Sequence, residues 1–259
     1  MQPLSSRQES ILNRVVDTHI HTGQPVGSRF ITNRYREIYR DYYSPATVRH
    51  EMGMLEERGY LTHPHPSAGR IPTDRGYRYY VDRGLTPEPV SQKTILHISN
   101  KLSEEKRERE NFAEKASEIL SELADEVALF AIPNSSPGLP GHYKIFIKGT
   151  GQMLDKPEFH EPASARPLFQ LFENRFRLFP WIENQCRRGL SVTIGLENES
   201  CELQHCSVVS ADFHVENKSK GVIALIGPTR MPYGRLLPLV KAMSQAIEGF
   251  FDSLNLDSV

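Results

Sequence analysis

Between Ser44 and Arg78 the sequence SPATVRHEMGMLEERGYLTHPHPSAGRIPTDRGYR gathers side chains able to bind a polyanion and to read hydrogen-bonding edges. Ser44, Thr47, Arg49 and His50 lie close together, Ser67, Gly69 and Arg70 follow a Pro-rich stretch, and Arg75 and Arg78 come next. Thr, Arg and His contact base edges or phosphates, and arginine on guanine is the commonest specific pairing. Gly69 leaves room beside Arg70 for close approach to a phosphate, and Arg75 and Arg78 suit contacts to the backbone of a nucleic acid. The ligand these residue types fit is duplex DNA.

Such residues work only if something presents them. Ser44 suits a helix N-cap and Pro45 the first helical position, where its missing N–H is not needed. Val48, Met52 and Leu55 recur as one apolar stripe, and Gly59 follows where a left-handed C-terminal residue is favoured. At 100° per residue the opposite face carries Ala46, His50, Gly53 and Glu57, flanked by Thr47 and Arg49. An ordinary amphipathic helix with a solvated face has the same pattern, so the neighbouring elements decide. Ser6 to Glu9 has capping-box spacing and opens a helix with Ile11, Leu12, Val15 and Val16 inward, ending near Gly23. Ser28 caps a second helix reaching about Tyr35, and Glu37 to Tyr43 connects it to Ser44. Three helices in this order make a helix-turn-helix core. Tyr60 to Thr62 suits a strand, HPHPSAG interrupts it, and Arg70 and Ile71 resume it, which makes a wing. Thr73 caps a further short helix holding Arg75 and Arg78.

His63 and His65 alternate along an extended segment and could face one metal ion, but no carboxylate or Cys stands at ligand spacing nearby, so no metal is expected. His19 and His21 point to different faces of a helix and read as surface or boundary residues. Of 31 basic and 32 acidic residues, 12 and 9 lie in residues 1–86, leaving a head of +3 and a body of −4. So small a positive balance binds DNA weakly from one copy, which makes two heads on one site a physical need. The apolar and charged fractions are those of a soluble globular protein, with no signal peptide or membrane span. Cys186, Cys201 and Cys206 lack CxxC spacing and fit a reducing cytoplasm, as core or semi-buried thiols.

RGLTPEPVS reads as a linker, and Gln92 to Leu129 as helical, with Ile95, Ile98 and Leu102 on one stripe and Phe112, Ala116, Ile119, Leu120, Leu123 and Val127 on another. The charged run SEEKRERE between them reads as a solvated helix face, though so long a helix could also pack against a twin. Then ALFAIP, YKIFIKG, LSVTIG, CSVVSADF and GVIALIG read as strands, NSSPGLPGH as a loop, and Leu236 to Leu254 as a closing amphipathic helix on that sheet. The body is α+β. The lone G-x-G of GTGQML reads as a core turn, and no Ser/His/Asp set, carboxylate pair or P-loop supports catalysis or a cofactor.

The stretches QPVGSRFIT, SPATVRHEM and LEERGYLTHPHPSAGRIPTDRGYRYYVD resemble the HrcA family of heat-inducible transcription repressors, and GTGQMLDKPEF, IGLEN, LQHCSVVSA and GVIALIGPTRMPYGRLLPLV extend the likeness through the body. The resemblance implies a homodimeric repressor on an inverted-repeat CIRCE operator before chaperone operons, with its active fold maintained by the chaperonin GroEL. It divides the chain into a winged helix-turn-helix domain (1–86), a linker and long helix (87–129) and a GAF-like α+β domain (130–259). The matching DNA-contact positions are Ser44, Thr47, Arg49, His50, Ser67, Gly69 and Arg70. Two departures stand out. The family usually has Asn where this chain has His50, which removes a bidentate adenine contact. The chain also looks shortened near 133–142, where the family has further strands and a dimerisation insert, so dimerisation falls to the long helix or the sheet. Two other readings keep parts of this picture: a winged-helix regulator whose body senses a small ligand, and a degenerate paralogue that does not bind DNA.

Overall fold

The computed structural model describes residues 3–36, 43–65, 68–103, 109–133, 143–215 and 219–256. The chain divides into two units: Met1–Thr86 with Thr229–Pro232, and Pro87–Pro228 with Tyr233–Val259.

In the first unit, α1 (Ser6–Thr22) is capped by Ser5, whose hydroxyl accepts from the Gln8 amide at 3.3 Å while the Gln8 side chain accepts from the Ser5 amide at 3.2 Å. The box therefore lies one residue earlier than the Ser6–Glu9 reading. Two adjacent serines offer the same chemistry and Gln serves as Glu does, so spacing alone leaves the register open; the buried Leu4 just before Ser5 is consistent with the observed choice. Gly23 closes the helix at φ 64°, donating to the His19 carbonyl. The second helix, α2 (Ser28–Arg36), takes Ser28 as its first residue rather than its cap, because the Gly27 carbonyl accepts the first helical bond, from Ile31.

Helix α3 (Pro45–Glu57) starts as expected, with the Ser44 hydroxyl accepting from the Thr47 amide at 3.1 Å and Val48, Met52 and Leu55 buried. Strands β1 (Leu61–Thr62) and β2 (Ile71–Pro72) pair antiparallel, and the returning limb also pairs with the α1–α2 loop through a Val26–Arg70 bridge. Helix α4 (Asp74–Tyr79) is capped by Thr73. Gly76 sits so close to the strand end that a Cβ there would meet the Tyr60 carbonyl oxygen at 2.2 Å. Ser67, and nearly all of the expected connector between the second and third helices, lie outside the described residues.

In the second unit, α5 (Gln92–Ser103) and α6 (Arg109–Ala124) precede β3 (Val127–Pro133). Helix does not reach Leu129, as the apolar pattern suggested. Asp125 adopts φ 59°, the one non-glycine positive φ among the described residues, and Val127 is already in the sheet. Most of the charged run between the two helices lies outside the described residues. Five antiparallel strands follow the order β4 (Tyr143–Lys148), β3, β7 (Lys220–Pro228), β6 (Cys206–His214), β5 (Ser191–Ile194). Alternate residues of β3, β6 and β7 point to opposite faces. Val127, Leu129, Val208, Val222 and Ala224 enter a core with Leu168 and Leu171 of α8 (Pro162–Glu173) and Leu178 and Ile182 of α9 (Arg175–Gln185). On the other face Phe130 and Phe213 meet each other, and Phe213 stacks on Phe251 of α10 (Tyr233–Leu256), with Phe112 of α6 alongside. Both faces being covered explains why these strands read as nearly unbroken apolar runs.

GTGQML is a turn and more: Gly149, at φ 81°, leads into the single-turn helix α7 (Thr150–Leu154), and a Cβ there would meet the Ser121 hydroxyl at 2.0 Å. The loop expected to be shortened lies outside the described residues, but its ends do not. Pro133 pairs directly with Tyr143, so β3 and β4 close as a hairpin around it. Of the cysteines, Cys186 and Cys206 are buried as expected, whereas Cys201 is exposed on a 3₁₀ turn beside Glu202.

Candidate nucleic-acid interface

The outward face of α3 carries Ala46, Arg49, His50, Met54 and Glu57, all exposed. Arg49 and His50 are described residues with no internal hydrogen bond or ion pair among them. Ser44 and Thr47 are half-buried, and their hydroxyls lie 3.0 Å apart at the helix N-terminus, where the cap already engages Ser44. The two edges of the helix are less free: on one Glu51 takes Arg7 at 3.4 Å, and on the other Glu56 takes two partners from the wing.

Those partners are His63, whose ring meets one Glu56 oxygen in a short contact, and Arg70, whose Nε donates to the other at 2.9 Å. Burial alone would raise the Glu56 carboxyl, but the hydrogen bonds from His63 and Arg70 outweigh it and hold the group below the usual carboxylate range. A carboxylate thus does lie beside His63, contrary to the sequence reading, but it serves an ion pair with Arg70. Among the described residues no group of three or more His, Cys, Asp or Glu could hold a metal ion.

Gly69 has a structural reason to be glycine: a Cβ would stand 2.6 Å from the Val26 carbonyl carbon, so the wing's return limb can lie against the α1–α2 loop. Arg75 donates to the Arg58 carbonyl at 2.9 Å and to the Tyr60 hydroxyl at 3.2 Å, with its guanidinium 4.4 Å from the Tyr60 ring centroid. Arg78 pairs with Asp82 at 3.2 Å. Both hold α4 and the segments around it together. His19 is a boundary residue as read, bonded to the Tyr77 hydroxyl at 2.6 Å. Sequence reasoning missed Glu56 altogether, because no local spacing rule links a helix residue to an arginine across a wing.

The arrangement is a helix with two exposed basic side chains on a face of otherwise small or flexible residues, beside a wing tied to its edge. Such a face fits a major groove, where a close backbone and reaching cations are both needed. No helix among the described residues is long and apolar enough to cross a membrane.

A solved structure described as a hypothetical protein at 2.2 Å resolution superposes with a TM-score of 0.75, covering 97% of this chain and 99% of that one at 19% identity, which shows a shared fold. The heat-inducible transcription repressor HrcA of Shouchella clausii (strain KSM-K16) is 27% identical over 334 aligned positions, covering 93% of this chain and 96% of its own length. That alignment is longer than the 259 residues of this sequence, so the relative carries segments with no counterpart in it. The family model for the HrcA protein C-terminal domain matches residues 85–237, more than half of the chain. Winged helix-turn-helix head and GAF-like body together are the arrangement of that family, and the chain belongs to it: it is a member of the HrcA family.

Proposed function

We propose that the chain is a repressor of heat-inducible transcription that binds an inverted-repeat DNA operator as a homodimer. The observation that carries this reading is the exposed pair Arg49 and His50 on the outward face of α3, free of internal partners among the described residues. In this reading they meet base edges, Ser44 and Thr47 approach a phosphate at the helix N-terminus, and the wing at Gly69 lies along the backbone, the expected contact at Ser67 falling outside the described residues. Arg75 and Arg78 act through the fold, since their guanidinium groups are engaged by partners within the head at its surface. Two copies are needed because a head of net charge +3 releases few counterions alone. The closed β3–β4 hairpin supports a body that folds without an insert at that point. Membership of the HrcA family is what supports the chaperonin GroEL as the partner that maintains the active fold.

A selection from random duplexes with the full chain tests this. The expected product is a motif with two-fold symmetry, bound with a mass of two chains per duplex in sedimentation. A pool that stays random after several rounds would refute it.

A further inference from the structure

Arg70 belongs to the wing by sequence, yet its guanidinium lies on the recognition helix. The root of the residue is fixed by two backbone hydrogen bonds with Val26, of 2.8 and 3.0 Å. Its Nε is held by Glu56 at 2.9 Å, and an Nη nitrogen reaches to 3.9 Å from where a Cβ on Gly53 would stand. The guanidinium therefore runs along the helix between Gly53 and Glu56, one turn apart. Arg49 lies one turn before Gly53 on the same edge. Gly53 leaves the space that a longer side chain at that position would take from the guanidinium.

From this geometry we infer that Arg70 is a specificity-determining residue that reads a base pair in the same groove as Arg49 and His50, and that Glu56, seconded by His63, is the positioning residue that aims it. This rests on the reading that α3 faces the duplex. An arginine whose Nε is engaged presents its two Nη groups as a fork, the shape that matches the O6 and N7 acceptors of guanine. A wing arginine serving only as a phosphate anchor needs no such holder, because a point charge tolerates many orientations. The side chains of Arg70 and Glu56 are 23% and 25% exposed, so the pair is partly withdrawn from water while its outer edge stays reachable.

The test uses the full chain, the duplex it selects, and a series of duplexes each changed at one base pair. Wild type should lose on the order of tenfold to a hundredfold in affinity when the guanine read by Arg70 is replaced. Arg70→Lys keeps the charge and should keep the slope of affinity against salt, yet it should flatten the preference at that base pair and leave the others intact. Glu56→Ala should flatten the same preference while affinity for unrelated duplexes holds or rises, since an acid has been removed; a merely unfolded head would lose both. Melting curves identify any variant that fails to fold, in which case Arg70→Lys decides alone. If Arg70→Lys keeps every base preference, or Arg70→Ala weakens all duplexes equally and lowers the salt slope by about one, Arg70 is a phosphate anchor and the inference falls. If Glu56→Ala leaves the preference unchanged, its positioning role falls. Absence of any preference in wild type would instead sink the proposed function.

Discussion

Asn198 in the body and Arg49 in the head both sit inside dense sequence motifs, and the molecule uses them in opposite ways. Asn198 is 3% exposed; its Nδ2 donates to the carbonyls of Gly195, Leu203 and Cys206, and its Oδ1 accepts from the Thr193 hydroxyl at 2.6 Å. It ties a loop of two 3₁₀ turns to the ends of β5 and β6. Arg49 stands in solvent with nothing internal to hold. A motif is a mixture of residues that build and residues that face a partner, and burial with saturated hydrogen bonds separates the two. In the head the mixture is finer: Gly69, Thr73 and Gly76 build, Arg75 builds through its hydrogen bonds although it is exposed, and Ala46, Arg49 and His50 face outward.

The two regions also offer separate readouts, because the single tryptophan, Trp181, lies in the body core. The largest effect should come from Gly76→Ala. A methyl group 2.2 Å from a carbonyl oxygen forces the wing and α4 apart, at a cost of about 3 kcal/mol or more. Duplex binding should be lost while the urea transition followed by Trp181 fluorescence stays put. Next comes Asn198→Ala, which strands several buried carbonyls and should shift that Trp181 transition by about 2–3 kcal/mol. Unshifted fluorescence would remove the contrast between the regions.

Arg49→Ala should change no melting curve by more than about 0.5 kcal/mol, yet reduce discrimination at particular operator bases by about 1–3 kcal/mol. Arg75→Ala sharpens the comparison from the other side. It should cost the head about 1 kcal/mol in unfolding while base preferences persist in whatever remains folded. The smallest effect concerns pH. The folded Glu56 carboxyl is held below the usual carboxylate range, so its contribution is present above that range and fades as pH falls through the lower folded value. The difference in melting temperature between wild type and Glu56→Gln should therefore shrink as the pH is lowered from neutral to below the ordinary carboxylate range.

Much of this is legible in the sequence. Ser44, Pro45 and Gly59 mark a helix by local chemistry, and β-branched runs between turn residues mark each strand of the sheet. Where the reading missed, the signal was either degenerate or not local. Ser5 and Ser6 offer the same cap, so the start of α1 could slip by one. From Leu123 to Leu129 the apolar residues satisfy helix and strand periods alike, and only the left-handed Asp125 breaks the helix. The hold of Glu56 on Arg70 spans fourteen residues of chain and a change of element, which no spacing rule reaches.

The central claim is that the outward face of α3 meets the duplex. Footprinting with diethylpyrocarbonate tests it directly, read residue by residue in the full chain with and without the selected duplex. His50 should be shielded by the duplex, while His214, 64% exposed on the body, keeps its reactivity. If His50 remains as reactive in the complex as in the free protein, α3 does not face the DNA and the account is wrong.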